Sequence, residues 1–303
     1  MMGKKDLKSV LGETKEKKSV LTVALFIILI FYVASLAIPI IWAIYSSFND
    51  VAAYRSFYVL KGEFPLKLTF DNFYAAFTEF TYTTSTTNVS YNFFEMFLHS
   101  VIYAVGSAAV FTITPMVVAY CAARFKFKFS KVIYAFVLIT MALPIVGSMP
   151  SEMRMLKNLG IFDTFFGMWV LRTNFLSIYF LIFYAQFESI PMDYTEAAKV
   201  DGASNLRIMF TVVLPQAVPT IITVFLLSFI GFWNDYQIPR AYLPSYPTVS
   251  EGLFLLARTG LKQVNNDPTK LAGIIGMTLP LIVIFAILNK RLRFNVAAGG
   301  IKG

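Results

Sequence analysis

The chain has 303 residues, of which 57% are hydrophobic, 17% aromatic and only 14% charged. Soluble domains carry about 25% charged residues, so a soluble globule is excluded and an integral membrane protein with one helical domain is indicated. The net charge of +9 does not mark a nucleic-acid binder, because the Lys and Arg residues lie beside apolar runs, as the positive-inside rule expects.

Residues 1–19 form a basic tail, and six apolar segments follow at roughly 20–46, 97–122, 132–149, 174–190, 217–236 and 271–289. They predict an all-α polytopic protein with six transmembrane helices over 20–290, followed by a tail at 291–303. The first segment is longer than the ~7–15-residue apolar core of a cleaved signal peptide and lacks a clear A-x-A site, so it is read as a retained helix. The fourth is barely long enough to cross a bilayer, and the run 165–171 just before it is an alternative start. Cys121 excludes an intrachain disulfide framework and is expected as inert packing at a helix end. The lone His99 is expected on the surface at a helix end, with no metal-ligand spacing around it.

Charge orients the helices. Most of the 26 basic residues fall in four short segments: the N-terminal tail, the loop after the second segment (Arg124, Lys126, Lys128, Lys131), the loop after the fourth (Lys199, Arg207) and the C-terminus. Both termini are therefore expected in the cytoplasm, with the loop 191–215 on the same side. Outside lie 47–96, 150–173 and 237–270. The first holds a polar run, TYTTSTTNVSYN, the second predicts a short surface helix, and the third contains two proline turns.

The loop 191–215 reads EAAKVDGASNLRIMFTVVLP from Glu196 to Pro215. Pro191 stops the fourth span. Asp193 and Glu196 stand three apart, close to a capping box, so a helix can start there with Glu196 in its first turn, where a carboxylate suits the helix dipole. Ala197 and Ala198 are small enough for another surface to approach the backbone. Gly202 ends or kinks the helix. Leu206, Met209, Phe210 and Val213 then follow at helical spacing, and Pro215 closes the segment. The residues alone leave two readings, a helical hairpin that docks another protein and an amphipathic loop lying on lipid headgroups.

At the outer end of the fifth segment, Phe229, Phe232, Trp233, Asn234, Tyr236 and Gln237 mix flat apolar faces with hydrogen-bonding groups. Such surfaces suit a sugar path and equally an aromatic belt. The segments carry almost no ionisable groups, since Glu188 and Asp235 lie near ends, and no pair of broken helices suggests an inverted repeat. Both points weigh against a stand-alone secondary transporter or channel. No nucleophile, carboxylate pair or metal cluster supports an enzyme. The chain has no G-x-x-x-x-G-K-[ST], so it does not cradle ATP phosphates itself.

The pattern E-A-A-x3-G-x9-V-x-L-P resembles the EAA motif of permease subunits of bacterial ATP-binding-cassette importers, with Val212 where Ile is usual. WNDY (233–236) and RFNVAAGGIKG (293–303) are similar to the maltose-type carbohydrate permeases among them. The resemblance implies a type I importer permease in the bacterial inner membrane, coupled through Glu196, Ala197, Ala198, Asp201, Gly202, Leu214 and Pro215 to a cytosolic ATPase. It further implies C-terminal ATPase contacts at Gly299, Gly300, Lys302 and Gly303, and a substrate path touching Phe229, Trp233, Asn234 and Tyr236. The implied partners are a second permease, two ATPase subunits that use ATP and Mg, an extracytoplasmic solute-binding protein, and an oligosaccharide or, alternatively, a non-sugar solute. No cofactor is expected on this chain.

Overall fold

The computed structural model describes residues 20–60, 64, 67–84, 88–125, 127, 129–143, 147–259 and 266–299. Among them, four helices are long and apolar enough to cross a membrane: Thr22–Ser47, Phe93–Arg124, Asn205–Asn234 and Asp267–Ile287. The first belongs to helix α1 (Val20–Ser47), which carries no charge. Its side chains are exposed nearly all along its length, and a helix that is apolar all round and uncovered by protein belongs in hydrocarbon.

The outer loop 47–96 is folded. It forms α2 (Val51–Leu60), the short α3 (Asp71–Tyr74) extended by a π turn, and a hairpin in which β1 (Thr81–Thr83) pairs antiparallel with β2 (Ser90–Asn92). Buried Asn72 ties this loop down. Its amide donates to the carbonyls of Ser47 (2.9 Å) and Asn49 (2.8 Å), and its oxygen accepts from the Thr269 hydroxyl at 3.3 Å. The end of α1 and the start of the last helix are thus joined through one side chain.

The hairpin runs straight into α4 (Phe93–Arg124). Asn92 and Glu95 make a full capping box there, with Glu95 N–H to Asn92 Oδ1 at 3.0 Å and Asn92 N–H to Glu95 Oε2 at 2.8 Å. The second span therefore starts four residues before its expected edge. At 32 residues it is about 48 Å long, so its ends sit on opposite faces of the molecule. Its buried face is rich in small residues, including Ala104, Ser107, Ala108, Ala119, Ala122 and Ala123, which let neighbouring helices approach closely. A Cβ on Gly106 would overlap the Trp169 indole, so that glycine is the seat of the ring.

The third and fourth segments are shorter than expected. Helix α5 covers Ser130–Ala142 and stops where Leu143, which precedes a proline in the sequence, turns extended (φ −94°, ψ 119°). Met149 starts a separate surface helix, α6 (Met149–Asn158), and α7 (Phe165–Leu171) is likewise separate from α8 (Ile178–Ser189). At 13 and 12 residues, α5 and α8 fall short of the ~20 that cross a bilayer. The loop 191–215 supplies α9 (Asp193–Val200) and α10 (Asn205–Ile208). Through a π turn, Met209–Val213, α10 continues directly into α11 (Leu214–Asn234). Pro215 consequently closes nothing. It sits in the first turn after the π turn, where a missing N–H is tolerated. The last elements are α12 (Gln237–Tyr242), α13 (Val249–Thr259) and α14 (Asp267–Gly299).

Two apolar clusters occupy the two ends of α4. At the Arg124 end, Tyr120 and Ala123 pack with Phe180, Phe183 and Phe187 of α8 and with Val213 and Ala217; half-buried Cys121 joins them. At the Phe93 end, Phe80, Phe93 and Met96 meet Val249, Leu253 and Leu256 of α13. His99 is half-buried there, not on the surface. Its Nδ1 lies 3.1 Å from the Pro247 carbonyl and its ring stands edge-on to Tyr91 and Tyr246.

Beside this outer cluster, Glu251 is buried within α13 and accepts a 3.3 Å hydrogen bond from Tyr82 of the hairpin. Burial pushes its carboxyl up to about 7 from an ordinary value of 4.5, against the lowering influence of the Tyr82 hydroxyl and of Arg240. Between those two pH values the folded chain holds a proton that the unfolded chain has released, so stability falls as pH rises through the window and is level above it. The thermal unfolding midpoint of the purified chain should therefore drop between about pH 5 and pH 8, and Glu251→Gln, which keeps the Tyr82 contact, should flatten that dependence. An equal drop in the variant would assign the effect to another group.

Candidate functional site

The Glu196 loop hangs at the Arg124 end of α4. Helix α9 begins at Asp193 as the spacing predicts, yet no capping box forms. Asp193 lies inside the first turn and Met192 occupies the cap position without a side-chain bond. Asp193 and Glu196 act there through the helix dipole instead. The far end is a Schellman turn. Gly202 N–H bonds to Lys199 C=O at 3.0 Å and Ala203 N–H to Ala198 C=O at 3.0 Å, with Gly202 at φ +76°. The Ser204 hydroxyl then accepts from Arg207 N–H and starts α10.

This geometry sorts the loop into two faces. Glu196, Ala197, Asp201, Gly202 and Pro215 are exposed. Ala198 is half-buried and packs against the chain's own core beside Met209 and Val213, as does half-buried Leu214. The two alanines thus do different work, Ala197 outward and Ala198 inward. Leu206, Met209, Phe210 and Val213, the positions at helical spacing, divide the same way. Met209 and Val213 are buried, whereas Leu206 and Phe210, one turn apart on a helix face, are 69% and 62% exposed, and Val200 is 88% exposed. The exposed face thus sets large apolar side chains beside an acidic first turn.

Arg124 is more than an orienting charge. Its buried guanidinium reaches the carbonyls of Phe187 (3.3 Å), Ile190 (2.7 Å) and Pro191 (3.5 Å) and the Thr195 hydroxyl of α9 (2.7 Å). The orphan carbonyls at the end of α8 are natural partners for a cation. No spacing along the chain joins residues 124 and 195, so only the fold brings them together.

Of the expected path residues, Phe229 and Trp233 are buried beside Ala104 and Ala108 of α4. The Trp233 indole N–H donates to the Met277 carbonyl of α14 at 3.1 Å, a bond that gives this ring a packing duty. Asn234 is exposed, with its amide on the Ile230 carbonyl. Tyr236 stacks on Phe254 at 3.9 Å between centroids. Nearby, Tyr103 bonds both Asp235 and Arg172 at 3.2 Å, and Asp235 caps α12 through the amides of Gln237 and Ile238. Of the C-terminal residues, Gly299 ends α14, while Gly300, Lys302 and Gly303 lie outside the described residues, as does the tail 1–19.

A family model of binding-protein-dependent transport system inner membrane components matches residues 115–297, a stretch that contains Arg124, the Glu196 loop and the last long helix. The diacetylchitobiose uptake system permease protein NgcG of Streptomyces coelicolor is 26% identical over 277 residues, covering 90% of this chain and 86% of that one. The melibiose/raffinose/stachyose import permease protein MelC of Bacillus subtilis is 27% identical over 248 residues, covering 81% and 86%. Among solved structures, a chain of a bacterial ABC transporter that imports the acidic polysaccharide alginate superposes with a TM-score of 0.72 at 20% identity, covering 91% of this chain and 97% of that one. That likeness is one of fold.

Three substitutions test the geometry. A Cβ on Gly202 meets open space, so the cost of Gly202→Ala comes from positive φ alone. It should lower stability by about 1 kcal/mol in denaturant titration, and Gly202→Asn by less. Trp233→Ala should cost about 3–5 kcal/mol by the same measurement, because it empties a packed site and strips a donor from Met277.

Proposed function

Because the chain belongs to the family of binding-protein-dependent transport system inner membrane components, we propose that it is the permease half of an ATP-driven importer for a carbohydrate, most simply an oligosaccharide. It pairs with a second permease. An extracytoplasmic solute-binding protein delivers the sugar, and two cytosolic ATPases consume the ATP and Mg that this chain does not bind. The two relatives with sugar names support the substrate class. So does the WNDY and GGIKG similarity of the sequence.

The observation that carries the coupling role is the outward face of the Glu196 loop, where an acidic first turn, Ala197 and the exposed Leu206 and Phe210 stand clear of the chain's own core. Glu196 is the polar anchor in a cleft of the ATPase, and Ala197, Asp201 and Gly202 lie along it. Leu214 and Pro215 hold the root of the loop. Gly299, Gly300, Lys302 and Gly303 reach the ATPase pair from the other side. Closure of the ATPases on ATP then pulls the loop and turns the cavity outward as a rigid-body switch between two states. In this reading the termini are cytoplasmic and the membrane is crossed six times, four times by the long helices and twice by α5 and α8 with their flanking segments. On the substrate side, exposed Asn234 and half-buried Tyr236 are the candidates, with Phe229 and Trp233 as the wall behind them.

The test is co-purification from native membranes in mild detergent. The tagged chain should bring down a second permease and a nucleotide-binding ATPase, and Glu196→Lys should cut the recovered ATPase about tenfold or more while the chain still inserts. Undiminished ATPase with the variant overturns the anchor role. Uptake of labelled raffinose by cells with and without the chain tests the substrate class, with a labelled amino acid as the contrast.

A further inference from the structure

Helix α9 is held to the membrane core by a single charged side chain. Arg124 is the last residue of α4, buried at 7% exposure, and among the described residues it has no carboxylate within ion-pair distance. Its charge is met by oxygens of two other elements. Nη1 donates to Phe187 and Ile190, at the carbonyl end of α8, and Nη2 donates to Pro191 and, at 2.7 Å, to Thr195 Oγ1. A buried cation is costly unless its donors are used; here Nη1 and Nη2 are used, while Nε has no partner among the described residues. The negative end of the α8 dipole and three carbonyls receive the charge. Ile190 is extended (φ −78°, ψ 122°) ahead of Pro191, so the chain leaves α8 in a fixed direction and delivers its carbonyls to the guanidinium.

Thr195 is the one residue of α9 that is buried, and it directly precedes the exposed Glu196 and Ala197. Its hydroxyl therefore hydrogen-bonds the outward-facing helix to the core, one turn from the packed Ala198. We propose that Arg124 is a positioning residue: through Thr195 it locks α9 to α4 and α8, so that these three helices move as one body. This inference rests on the docking reading of the Glu196 loop for its purpose, since a handle pulled by an ATPase transmits motion only if it does not hinge where it joins the core. The geometry requires arginine. A planar fork addresses the α8 carbonyls with one nitrogen and Thr195 with the other, which the single ammonium of lysine does not do.

The experiment is hydrogen exchange on the full chain in lipid nanodiscs, comparing wild type, Thr195→Val and Thr195→Ser. Thr195→Val is nearly isosteric and removes only the hydroxyl. Its amides across 196–203 should exchange about tenfold faster, the factor expected for one hydrogen bond to a charged group, while those of α4 and α8 stay as in wild type. Thr195→Ser restores the acceptor and should return the loop to within about twofold of wild type. Unchanged exchange in Thr195→Val, or acceleration spread equally over α4 and α8, overturns the lock. Arg124→Lys gives a second reading, with the same local acceleration expected in a chain that keeps its charge. ATPase recovery, scored separately, distinguishes the two ideas. Failure of the wild-type chain to capture an ATPase defeats the docking reading, while the exchange data still decide the lock.

Discussion

A backbone in hydrocarbon must satisfy its N–H and C=O groups without water, and α4 is the helix around which the rest of this chain meets that demand. Its small-residue face receives α8 and α11 along the membrane. Its first residue is capped by the hairpin, and its last supplies the cation that receives the open carbonyl end of α8. Helix ends are where unpaired carbonyls collect. The chain places its buried charge at such an end, where a cation is worth most.

The outer surface is held by hydroxyls and one amide more than by charge. Ser100 Oγ receives the Val249 N–H and Ser250 Oγ donates to Asn234, which pins α13 to both α4 and α11. Tyr91 reaches the Ser245 carbonyl from the hairpin. These are short, directional bonds between elements far apart in sequence, and they turn what reads as loop into a folded cap. Carboxylates contribute too, and Glu251 is buried inside that cap with a phenol for a partner. It ties the firmness of this face to pH near neutrality.

At the opposite end of α4 the design is asymmetric. The inward side of the Glu196 loop is saturated by Arg124, Ala198, Met209 and Val213, whereas the outward side keeps Leu206, Phe210 and Val200 in the open. The segment is thus packed on the core on one side and uncovered on the other. The π turn at Met209–Val213 belongs to the same logic. It re-phases the helix between the exposed stripe and the span, and it lets Pro215 lie within a continuous rod.

Much of this was legible from residue order. The apolar run of 20–46 reads as a lipid-facing helix, because no charged residue interrupts it. The start of α9 at Asp193 and its end at Gly202 follow from local chemistry: an acidic first turn, and a residue without Cβ where φ is positive. The E-A-A pattern located the outward-facing loop for the same reason, since its determinants lie within twenty residues of one another. What depended on distant partners was not legible. The folded cap of 47–96, the division of Ala197 from Ala198, and the burial of Trp233 against Met277 are set by contacts between segments that the sequence separates. The expected edge at Met149 and the expected close at Pro215 both fail, since one helix stops at Ala142 and another runs on through Pro215. Composition and periodicity by themselves determined that this chain lives in a membrane and where the first helix of the Glu196 loop begins and ends, because burial in lipid and helix termination act locally. Only the tertiary structure decided that Arg124 is the joint between that loop and the core, because a guanidinium finds its acceptors in space and not along the chain.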